Sequence, residues 1–552
     1  MYFHGDGCVP IPNKDLLSWI FDGPKYDIDK PIYFDAANPS RSLSQRQVRT
    51  LVRKVIAGLR AIGFKEGDCL CVTSFNDIYY TILVLGVVGV GGIFTGTNPS
   101  YTHQELVHHV KVARVKYFIS EPELLGPIEE AAAATGTPRS NILIFDVHGQ
   151  KIPEGYQSWT TLLAHGEEDW IRFDDEKRAK NTTATRLFSS GTTGLPKAVD
   201  HSHTNLIAQH TLVFEKYAKP FEWPKERYMH ALPMFHASTV PMLHFSTFRA
   251  GKATYIMRRY ELEAYLANIE KYGITHMIVV PPIVIHIIMS PLSNKYSLKS
   301  VRSAWCGAAP LEKITQRRFQ ALLAPDSPVT QVWGMTELTC IASLIKYPEA
   351  DDTGAVGRLI PNLEAKLVDD DGNNISAYDT RGELLVRGPT LINGYFDNPK
   401  ANQESYDHEG FFRTGDIAYC DSKTKLWYIV DRKKELIKVR GFQVAPPELE
   451  AVLMDHPHLV DAAVIGVQGS IYESELPRAY VVRRDTPEGA ALTEQDVKDH
   501  VAGRLAKYKR LEGGVRFVDS IPKNASGKIL KRVYREQFKA ELEAKKTKKA
   551  RL

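Results

Sequence analysis

The sequence predicts an α/β protein with a large N-terminal part, built mostly on parallel sheets, and a small C-terminal domain. Short apolar strands alternate with helical patterns as far as residue 334, which is typical of parallel sheets covered by helices. Residues 356–428 change to short strands separated by Gly, Asp, Asn and Pro, which indicates a small β-rich subdomain. From residue 431 onward, 25 Lys and Arg stand against 18 Asp and Glu, whereas residues 1–430 hold 45 against 47. We place a domain boundary at this charge shift.

The first elements are predicted from hydrophobic periodicity. Segment 42–63 has Leu51, Val55, Leu59 and Ile62 on one face of a helix that would end at Gly63. The alternating segment 69–75 predicts a half-buried strand, and the apolar segment 78–94 predicts a buried helix. Segment 78–94 is at the lower length limit for a membrane span, contains four glycines and has no basic anchor after it, so we expect no transmembrane segment.

The later strands are short and apolar. Segments 115–120 and 141–147 read as buried strands. The same alternation with helical patterns continues through 251–257, 276–282, 301–307 and 328–334. These strands complete the prediction of an α/β core.

Composition excludes several classes of function. The net charge of +5 is matched by the last eight residues, KKTKKARL, which carry five positive charges and no negative one. Residues 1–544 are therefore neutral overall, and a nucleic-acid-binding face is not indicated. Six scattered cysteines are too few for a disulfide framework, which favours reduced thiols in an intracellular protein. The N-terminus lacks the basic and apolar segments of a secretory signal.

A glycine- and hydroxyl-rich segment, LFSSGTTGLPKAV at 187–199, is the first candidate site. Its glycines allow close backbone approach to a ligand, and its hydroxyls, N–H groups and lysine offer partners for phosphate oxygens. It is not a Walker A loop, because Lys197 stands three residues after Gly194 and is followed by Ala198. An ordinary surface loop is the alternative. The candidate phosphate-binding residues are Ser189, Ser190, Gly191, Thr192, Thr193, Gly194 and Lys197.

Four further segments carry weaker signals. In QVWGMTEL (331–338), Glu337 could hold Mg²⁺ on phosphates, although Thr336 and Glu337 could simply start a helix. In FRTGD (412–416), Asp416 after a glycine turn could accept hydrogen bonds from two vicinal hydroxyls. The charged segment 431–450 and the glycine loop IPKNASGKILKR at 521–532 could each be a solvated basic face.

Together and in this order, the five segments resemble the motifs of the adenylate-forming superfamily of acyl- and aryl-CoA ligases, luciferases and nonribosomal adenylation domains. The resemblance extends from about Tyr33 to Arg535 and is strongest to 4-coumarate–CoA ligase-like and medium-chain acyl-CoA ligases. It implies a large adenylate-forming domain over 1–430, with two α/β subdomains and the β-rich subdomain. A hinge would lie at 431–434, from Asp431 to Lys434. A small, mobile α+β domain at 435–543 and a basic tail at 544–552 would follow.

The resemblance also implies two half-reactions in one site. A carboxylate attacks the α-phosphate of Mg·ATP, and the thiol of coenzyme A then displaces AMP. Asp416 would take the ribose hydroxyls beside Arg432, and Glu337 would hold the Mg²⁺. Residues lining the adenine and α-phosphate would be Gly307, Ala308, Ala309, Gln331, Val332, Trp333, Gly334, Met335 and Thr336. The catalytic residues would be Lys528 at the α-phosphate and carboxylate, Lys438 and Gln443 near AMP and thioester formation, and His236.

The acid is expected to be aromatic, such as a phenylpropanoid, or of medium chain length. No Asp is evident that would bind an α-amino group, and Trp305 and Trp333 would make the pocket apolar. His236 could also be an ordinary core histidine. The expected pocket walls are His236, Ala237, Thr239, Val280, Trp305, Cys306, Val332, Met335 and Leu338.

Alternative functions share these motifs. They are a stand-alone adenylation enzyme that loads a separate carrier protein, a luciferase-like mono-oxygenase, and a non-catalytic nucleotide-binding relative. Intact Lys197, Glu337, Asp416 and Lys528 argue against the last. The expected partner is a small-molecule carboxylic acid, with no nucleic acid.

The terminal tripeptide Ala550-Arg551-Leu552 resembles the small–basic–Leu peroxisomal signal. It predicts binding to a peroxisomal import receptor and a peroxisomal location. A frayed basic terminus on a cytoplasmic protein is the alternative.

Overall fold

The computed structural model describes residues 1–189, 196–217, 226–433, 435–439, 442–468, 475–505, 507–524 and 527–549. Across these residues the chain is α/β, with two largely parallel sheets, a β-rich region and a C-terminal α+β region, as the sequence predicts. Among the described residues, no helix combines the length and the apolar composition that crossing a membrane requires.

The first parallel sheet has seven strands within the described residues, and only its edge strand runs antiparallel. In spatial order its strands are Lys197–Ser202, Thr183–Ser189, Ile93–Gly96, Cys69–Thr73, Val115–Ser120, Ile142–Ile144 and Gln157–Ser158. The helices of this region are Gln45–Ala61, Tyr80–Gly89, His103–Ala113, Leu125–Thr135 and Glu176–Asn181.

The second sheet also has seven strands in the described part of the chain, antiparallel only at the edge pair formed by its last two. In spatial order they are Val329–Gln331, Ser303–Cys306, His276–Val279, Arg227–His230, Ala253–Ile256, Pro31–Asp35 and Ser42–Ser44. The helices of this region are Leu16–Phe21, His203–His210, Thr247–Ala250, Leu262–Tyr272, Pro281–Met289 and Lys313–Gln320, with π-helical turns at Thr211–Tyr217 and Pro241–Ser246.

The β-rich region contains two antiparallel sheets. One has the strands Phe3–His4, Glu364–Val368, Gly382–Arg387, Phe412–Cys420 and Trp427–Arg432, with the helix Pro399–Ser405 nearby. The other has the strands Trp333–Met335, Cys340–Leu344 and Arg358–Leu359.

The C-terminal region has a two-stranded ribbon, a three-stranded sheet and helices. The ribbon is Ile437–Val439 with Phe442–Val444, and the sheet is Leu459–Gln468, Glu475–Arg483 and Gly514–Phe517. The helices are Pro446–Met454, Pro487–Ala491, Glu494–Ala502 and Lys531–Lys549. Across all regions described, the short 3-10 helices are Pro122–Leu124, Arg139–Asn141, Trp159–Ala164, Pro291–Asn294, Thr336–Leu338 and Lys507–Lys509.

Three local predictions are corrected. The helix predicted over 42–63 begins only at Gln45, with Ser44 as its cap, and its buried stripe is Val48, Val52, Val55, Ile56 and Leu59. Val55 and Leu59 are buried as predicted, whereas Leu51 is half-buried and Ile62 follows the helix and is exposed. The helix predicted over 78–94 ends at Gly89, and residues 93–96 form the next strand instead.

The strand at Cys69–Thr73 is buried at every position, whereas alternation predicts half burial. It lies between two parallel neighbours, Ile93–Gly96 and Val115–Ser120. Strands inside such a sheet are covered on both faces, so polar Thr73 is buried beside Thr97, with their hydroxyls 2.8 Å apart.

Candidate active site

Two cavities meet at the junction of the large and small parts of the chain. The first, of about 190 Å³, is lined mainly by apolar side chains, and we call it the apolar cavity. The second, of about 170 Å³, lies where residues 431, 432, 435, 447 and 450 face part of segment 308–334, and we call it the interdomain cavity. Both are lined by Ala308, Val332, Gly334, Arg432 and Lys528. A ligand that fills both cavities therefore passes Lys528.

Asp416 is fixed at the interdomain cavity by two partners. Its carboxylate accepts a hydrogen bond from the Trp333 indole at 2.8 Å and pairs with the Arg432 guanidinium at 2.7 Å. Only 2% of Asp416 is exposed. The expected glycine turn is absent, because Gly415 lies inside the strand Phe412–Cys420. A shift in strand register next to Gly415, whose φ is +70°, takes its place and aims Asp416 inward.

Glu337 belongs to the wall of the apolar cavity. It lies in the 3-10 turn Thr336–Leu338 after Met335, so Thr336 is not the helix cap that one interpretation allowed. The Glu337 carboxylate accepts a hydrogen bond from the Tyr395 hydroxyl at 2.8 Å, and the Lys197 ammonium lies 4.0 Å from the centre of the same ring. Tyr395 therefore connects the lysine of one motif to the carboxylate of another.

Thr336 is held by a buried histidine. The Nε2 of His201 donates to the Thr336 carbonyl at 2.7 Å, and the Thr185 hydroxyl lies 3.1 Å from Nδ1. Burial lowers the pKa of His201, so the ring is neutral and its tautomer is set by these two contacts. His201 and Thr185 lie opposite each other on neighbouring strands of the first sheet. Their contacts therefore connect that sheet to the turn that holds Thr336 and Glu337.

Part of the phosphate-loop prediction lies outside the described residues, namely Ser190, Gly191, Thr192, Thr193 and Gly194. Ser189 ends its strand on the wall of the apolar cavity. The buried Ser189 hydroxyl has no hydrogen-bond partner among the described residues. Ala198 is buried in the strand Lys197–Ser202, where it lies opposite Phe188 of the neighbouring strand.

Lys528 reaches the cavities on a short loop of the C-terminal region. The Lys528 N–H donates to the Asn524 side chain at 2.8 Å, and the Asn524 N–H donates back to the Lys528 carbonyl at 2.9 Å. Gly527, at a φ of +83°, packs so closely that a Cβ would lie 2.9 Å from Pro282. Burial and the nearby Arg432 charge lower the pKa of Lys528, while Glu435 and Asp416 oppose the change.

Asp431, the first residue of the predicted hinge, is buried in a cluster of charges. Its Oδ1 accepts the Arg432 N–H at 2.7 Å, whereas its Oδ2 has no partner within the described residues. The buried Lys531 ammonium lies 3.0 Å from Glu450 and 3.7 Å from Glu435. Burial raises the pKa of Asp431 to about 7, against the opposing charge of Lys531.

This raised pKa predicts a pH-dependent loss of stability. Between the ordinary carboxyl pKa and about pH 7, the folded chain keeps a proton on Asp431 that the unfolded chain has released. The contribution of Asp431 to stability therefore falls as the pH rises through this window and is constant above it. The side chain of Asp431→Asn cannot ionise. The melting temperature of this variant minus that of the wild type should therefore increase as the pH rises from about 5 to about 8.

Thermal melts of both proteins across this range check the prediction. Asp421→Asn is the matched control, because hydrogen bonds from Thr424 lower the pKa of this turn carboxylate. The difference in melting temperature between Asp421→Asn and the wild type should not change with pH above about pH 5. Melting temperatures of wild type and Asp431→Asn that stay parallel at every pH would contradict the prediction.

His236 lies on the wall of the apolar cavity. Its Nδ1 accepts the Ser238 N–H at 3.2 Å and lies 2.8 Å from the Ser238 hydroxyl. Burial lowers the pKa of His236 to about 4, so the ring is neutral near pH 7. Because Nδ1 is an acceptor, the ring proton is on Nε2, which makes His236 a hydrogen-bond donor rather than a cation.

The predicted walls of the apolar cavity are partly corrected. His236, Ala237, Val280, Trp305, Val332 and Met335 line it. Cys306 does not, because it follows Trp305 in a strand and its side chain points to the opposite face, into the core. Leu338 packs in another core cluster, and Thr239 is fully buried without reaching the cavity.

The predicted adenine residues lie along the interdomain cavity. Ala308, Ala309, Gln331, Val332, Trp333 and Gly334 line it, whereas Gly307, Met335 and Thr336 line the apolar cavity. The Gln331 amide already holds Leu311, accepting its N–H at 2.8 Å and donating to its carbonyl at 3.0 Å. Ala308 has a φ of +71°, an unfavourable conformation for a residue with a side chain and one found at ligand sites.

Two other predicted residues are described only in part, and four are not described. Lys438 and Gln443 are paired across the ribbon of the C-terminal region, but their side chains lie outside the described residues. Lys434 of the hinge, and the terminal Ala550, Arg551 and Leu552, lie outside them entirely.

Several site residues were missed by sequence reasoning. Ile278 and Val279 directly precede the predicted wall residue Val280, so proximity in the sequence could have identified them. No local signal marks Tyr395 or His201, because each acts through a contact with a residue distant in sequence, Glu337 and Thr336 respectively. The cavity residues missed are Leu232, Ser238, Met242, Ile278, Val279, Cys340 and Ile341.

Comparison with known proteins agrees with this geometry. Residues 23–396 match the model of the AMP-binding enzyme family, and residues 448–528 match that of the AMP-binding enzyme C-terminal domain. Acyl-CoA ligase azaF of Aspergillus niger is 54% identical over 97% of this chain and 100% of its own length. Phenylacetyl-CoA ligase epaB of Aspergillus niger is 54% identical over 97% of this chain and 99% of its own. ATP-bound MatB from Rhodopseudomonas palustris has a TM-score of 0.83 at 27% identity, covering 95% of this chain and 99% of that one.

The fold and the joined cavities define an adenylate-forming architecture. The chain belongs to the AMP-binding enzyme family of the adenylate-forming superfamily. The resemblance found in the sequence motifs is thereby confirmed.

Proposed function

We propose that the chain is an AMP-forming acid–CoA ligase whose substrate is a compact aromatic or medium-chain carboxylic acid with no charged group other than its carboxylate. The observation that carries the proposal is the apolar cavity that opens at Lys528 onto the interdomain cavity. Among the described residues, the charged side chains that line the apolar cavity are Glu337, Arg432 and Lys528. All three lie in segments that resemble nucleotide-binding motifs of the superfamily. The acid's apolar part would lie against Trp305 and its neighbours.

The chemistry follows from this arrangement. In the first step the acid's carboxylate oxygen attacks the α-phosphorus of ATP, and the bond to the bridging oxygen of pyrophosphate breaks. Two anions approach each other in this step, so Lys528 and Arg432 lower their repulsion. Neutral His236 donates a hydrogen bond at the carboxylate end without adding charge.

In the second step the sulfur of coenzyme A attacks the acyl carbon, the bond to AMP breaks, and the thiol proton is released. Rotation of the C-terminal region about Asp431 and Lys434 would take Lys528 away and admit the thiol. Lys438 and Gln443 would then act near the thioester.

Mg²⁺ is proposed to be held by Glu337 together with phosphate oxygens, where it would offset phosphate charge. The fit is chemical, since Mg²⁺ in nucleotide sites typically takes one or two carboxylates and keeps phosphate and water ligands. The Tyr395 hydrogen bond orients the Glu337 carboxylate and occupies only its Oε1.

The relatives support the aromatic part of the proposal. One Aspergillus niger relative at 54% identity is named a phenylacetyl-CoA ligase. Incubation with ATP, Mg²⁺, coenzyme A and a panel of carboxylic acids should yield AMP, pyrophosphate and an acyl thioester. Pyrophosphate release with no thioester would instead favour loading of a carrier protein, and no turnover with any acid would overturn the proposal.

A separate proposal concerns Ala550-Arg551-Leu552. At a free carboxyl terminus, this small–basic–Leu tripeptide would be bound by a peroxisomal import receptor. A fluorescent protein ending in the last ten residues should colocalise with a peroxisomal marker. The same fusion without the tripeptide should remain in the cytoplasm, and identical distributions would contradict the proposal.

A further inference from the structure

A second, smaller cavity lies behind one wall of the apolar cavity. It measures about 30 Å³, room for about two waters. Met242 and Ile278 line both cavities. Met242 belongs to the π-helical turn Pro241–Ser246, and Ile278 belongs to the strand His276–Val279. These two apolar side chains, from elements distant in sequence, form the partition between the two spaces.

The space behind the partition, which we call the rear cavity, is lined by apolar and polar residues, among them Phe214, Lys252 and His210. The Lys252 ammonium lies 2.5 Å from the Glu226 carboxylate and 3.2 Å from the Tyr228 hydroxyl. His210, only 2% exposed, also lines this space, and its Nδ1 has no hydrogen-bond partner in the described part of the chain. The rear cavity therefore adds a small, mainly apolar volume behind the partition.

We propose that Met242 and Ile278 form a gate that ends the acyl-binding space and sets the greatest length of acid that the enzyme accepts. The proposal rests on the acid–CoA ligase function proposed above. Close-packed walls do not yield to an extra methylene, and one methylene in an apolar pocket changes specificity by about 10-fold or more. An acid too long for the apolar cavity would need the space that lies behind these two side chains.

The test uses a ladder of acids that differ only in length: phenylacetate, 3-phenylpropanoate, 4-phenylbutanoate and 5-phenylpentanoate. For each, kcat/KM is measured by pyrophosphate release and by thioester formation. In Met242→Ala and Ile278→Ala the cavities merge, so the preferred length should increase. The ratio of kcat/KM for the longest to the shortest acid should rise about 10-fold or more in each variant.

The chain supplies a matched control. Met277 precedes Ile278 in the same strand, is 1% exposed and lines neither cavity. Met277→Ala removes the same side-chain atoms from the core as Met242→Ala. The dependence of its kcat/KM on acid length, which we call the length profile, should nevertheless stay that of the wild type. Met242→Val, a milder change that opens the same gate, replaces Met242→Ala if thermal melting shows that the latter does not fold.

The outcomes separate this inference from the function on which it rests. Gate variants that make thioesters with the wild-type length profile would overturn the gate alone. A shift of equal size in Met277→Ala would overturn it too, because loosening of the core would then explain the change. A wild type that forms no thioester with any acid would overturn the proposed function and the gate with it.

Discussion

Replacing Lys528 with alanine is expected to slow acyl-adenylate formation by about 100- to 1000-fold. Lys528 is a half-buried cation at the meeting point of both cavities, where the carboxylate and the α-phosphate would come together. Its charge offsets the repulsion between the two anions, and this contribution grows when the bound ligands displace water from the site. The rate is measured as acid-dependent exchange of labelled pyrophosphate into ATP.

The second half-reaction distinguishes this role from a general loss of structure. Supplied with a synthetic acyl-adenylate and coenzyme A, Lys528→Ala should form the thioester within a few-fold of the wild-type rate. Lys523→Ala is the control on the same loop, since Lys523 pairs with Asp461 at 2.6 Å and lines neither of the two joined cavities. Unchanged adenylation in Lys528→Ala, with ATP binding intact, would contradict the assignment.

Replacing Asp416 with alanine is expected to weaken ATP binding strongly and to destabilise the chain by about 2–4 kcal/mol. The change removes the acceptor of the Trp333 indole and the partner of Arg432, which leaves a cation in the site without its carboxylate. The estimate is below the value for a fully buried pair because 30% of the Arg432 side chain is exposed. Stability is measured by urea denaturation.

Selectivity between ATP and 2′-deoxy-ATP checks the ribose contact. The wild type should prefer ATP, whereas Asp416→Asn, which keeps the shape of the side chain, should lose most of this preference. Asp421→Ala, at a turn after the same strand, should keep it. If Asp416→Asn discriminates as the wild type does, the carboxylate does not bind the ribose.

The sequence motifs supplied candidate site residues that the structure places near one another. Asp416, Glu337 and Lys528 lie in segments separated by many residues, yet the structure brings them to two adjoining cavities. Each was found from a local pattern, such as a glycine beside a polar side chain. The resemblance placed these patterns in one site, because their order along the chain is that of the adenylate-forming superfamily.

Residues that support the motifs were not predicted. Tyr395 bonds Glu337, and His201 bonds the Thr336 carbonyl. Neither has a pattern of its own, since a single tyrosine or histidine in a strand or loop has the same local sequence whether it supports a site or a core. Their roles depend on contacts with segments that are distant in the chain.

The sequence by itself determined the α/β class, the approximate place of most strands, the nucleotide motifs and the family. The class and the strands rest on periodicity, which is local, whereas the motifs and the family rest on the resemblance to the adenylate-forming superfamily. Tertiary structure alone decided that Cys69–Thr73 is buried on both faces, that Cys306 turns away from the cavity while Trp305 faces it, and that Met242 meets Ile278 in one partition. Burial and cavity walls are set by packing between elements far apart in the chain, so no local pattern encodes them.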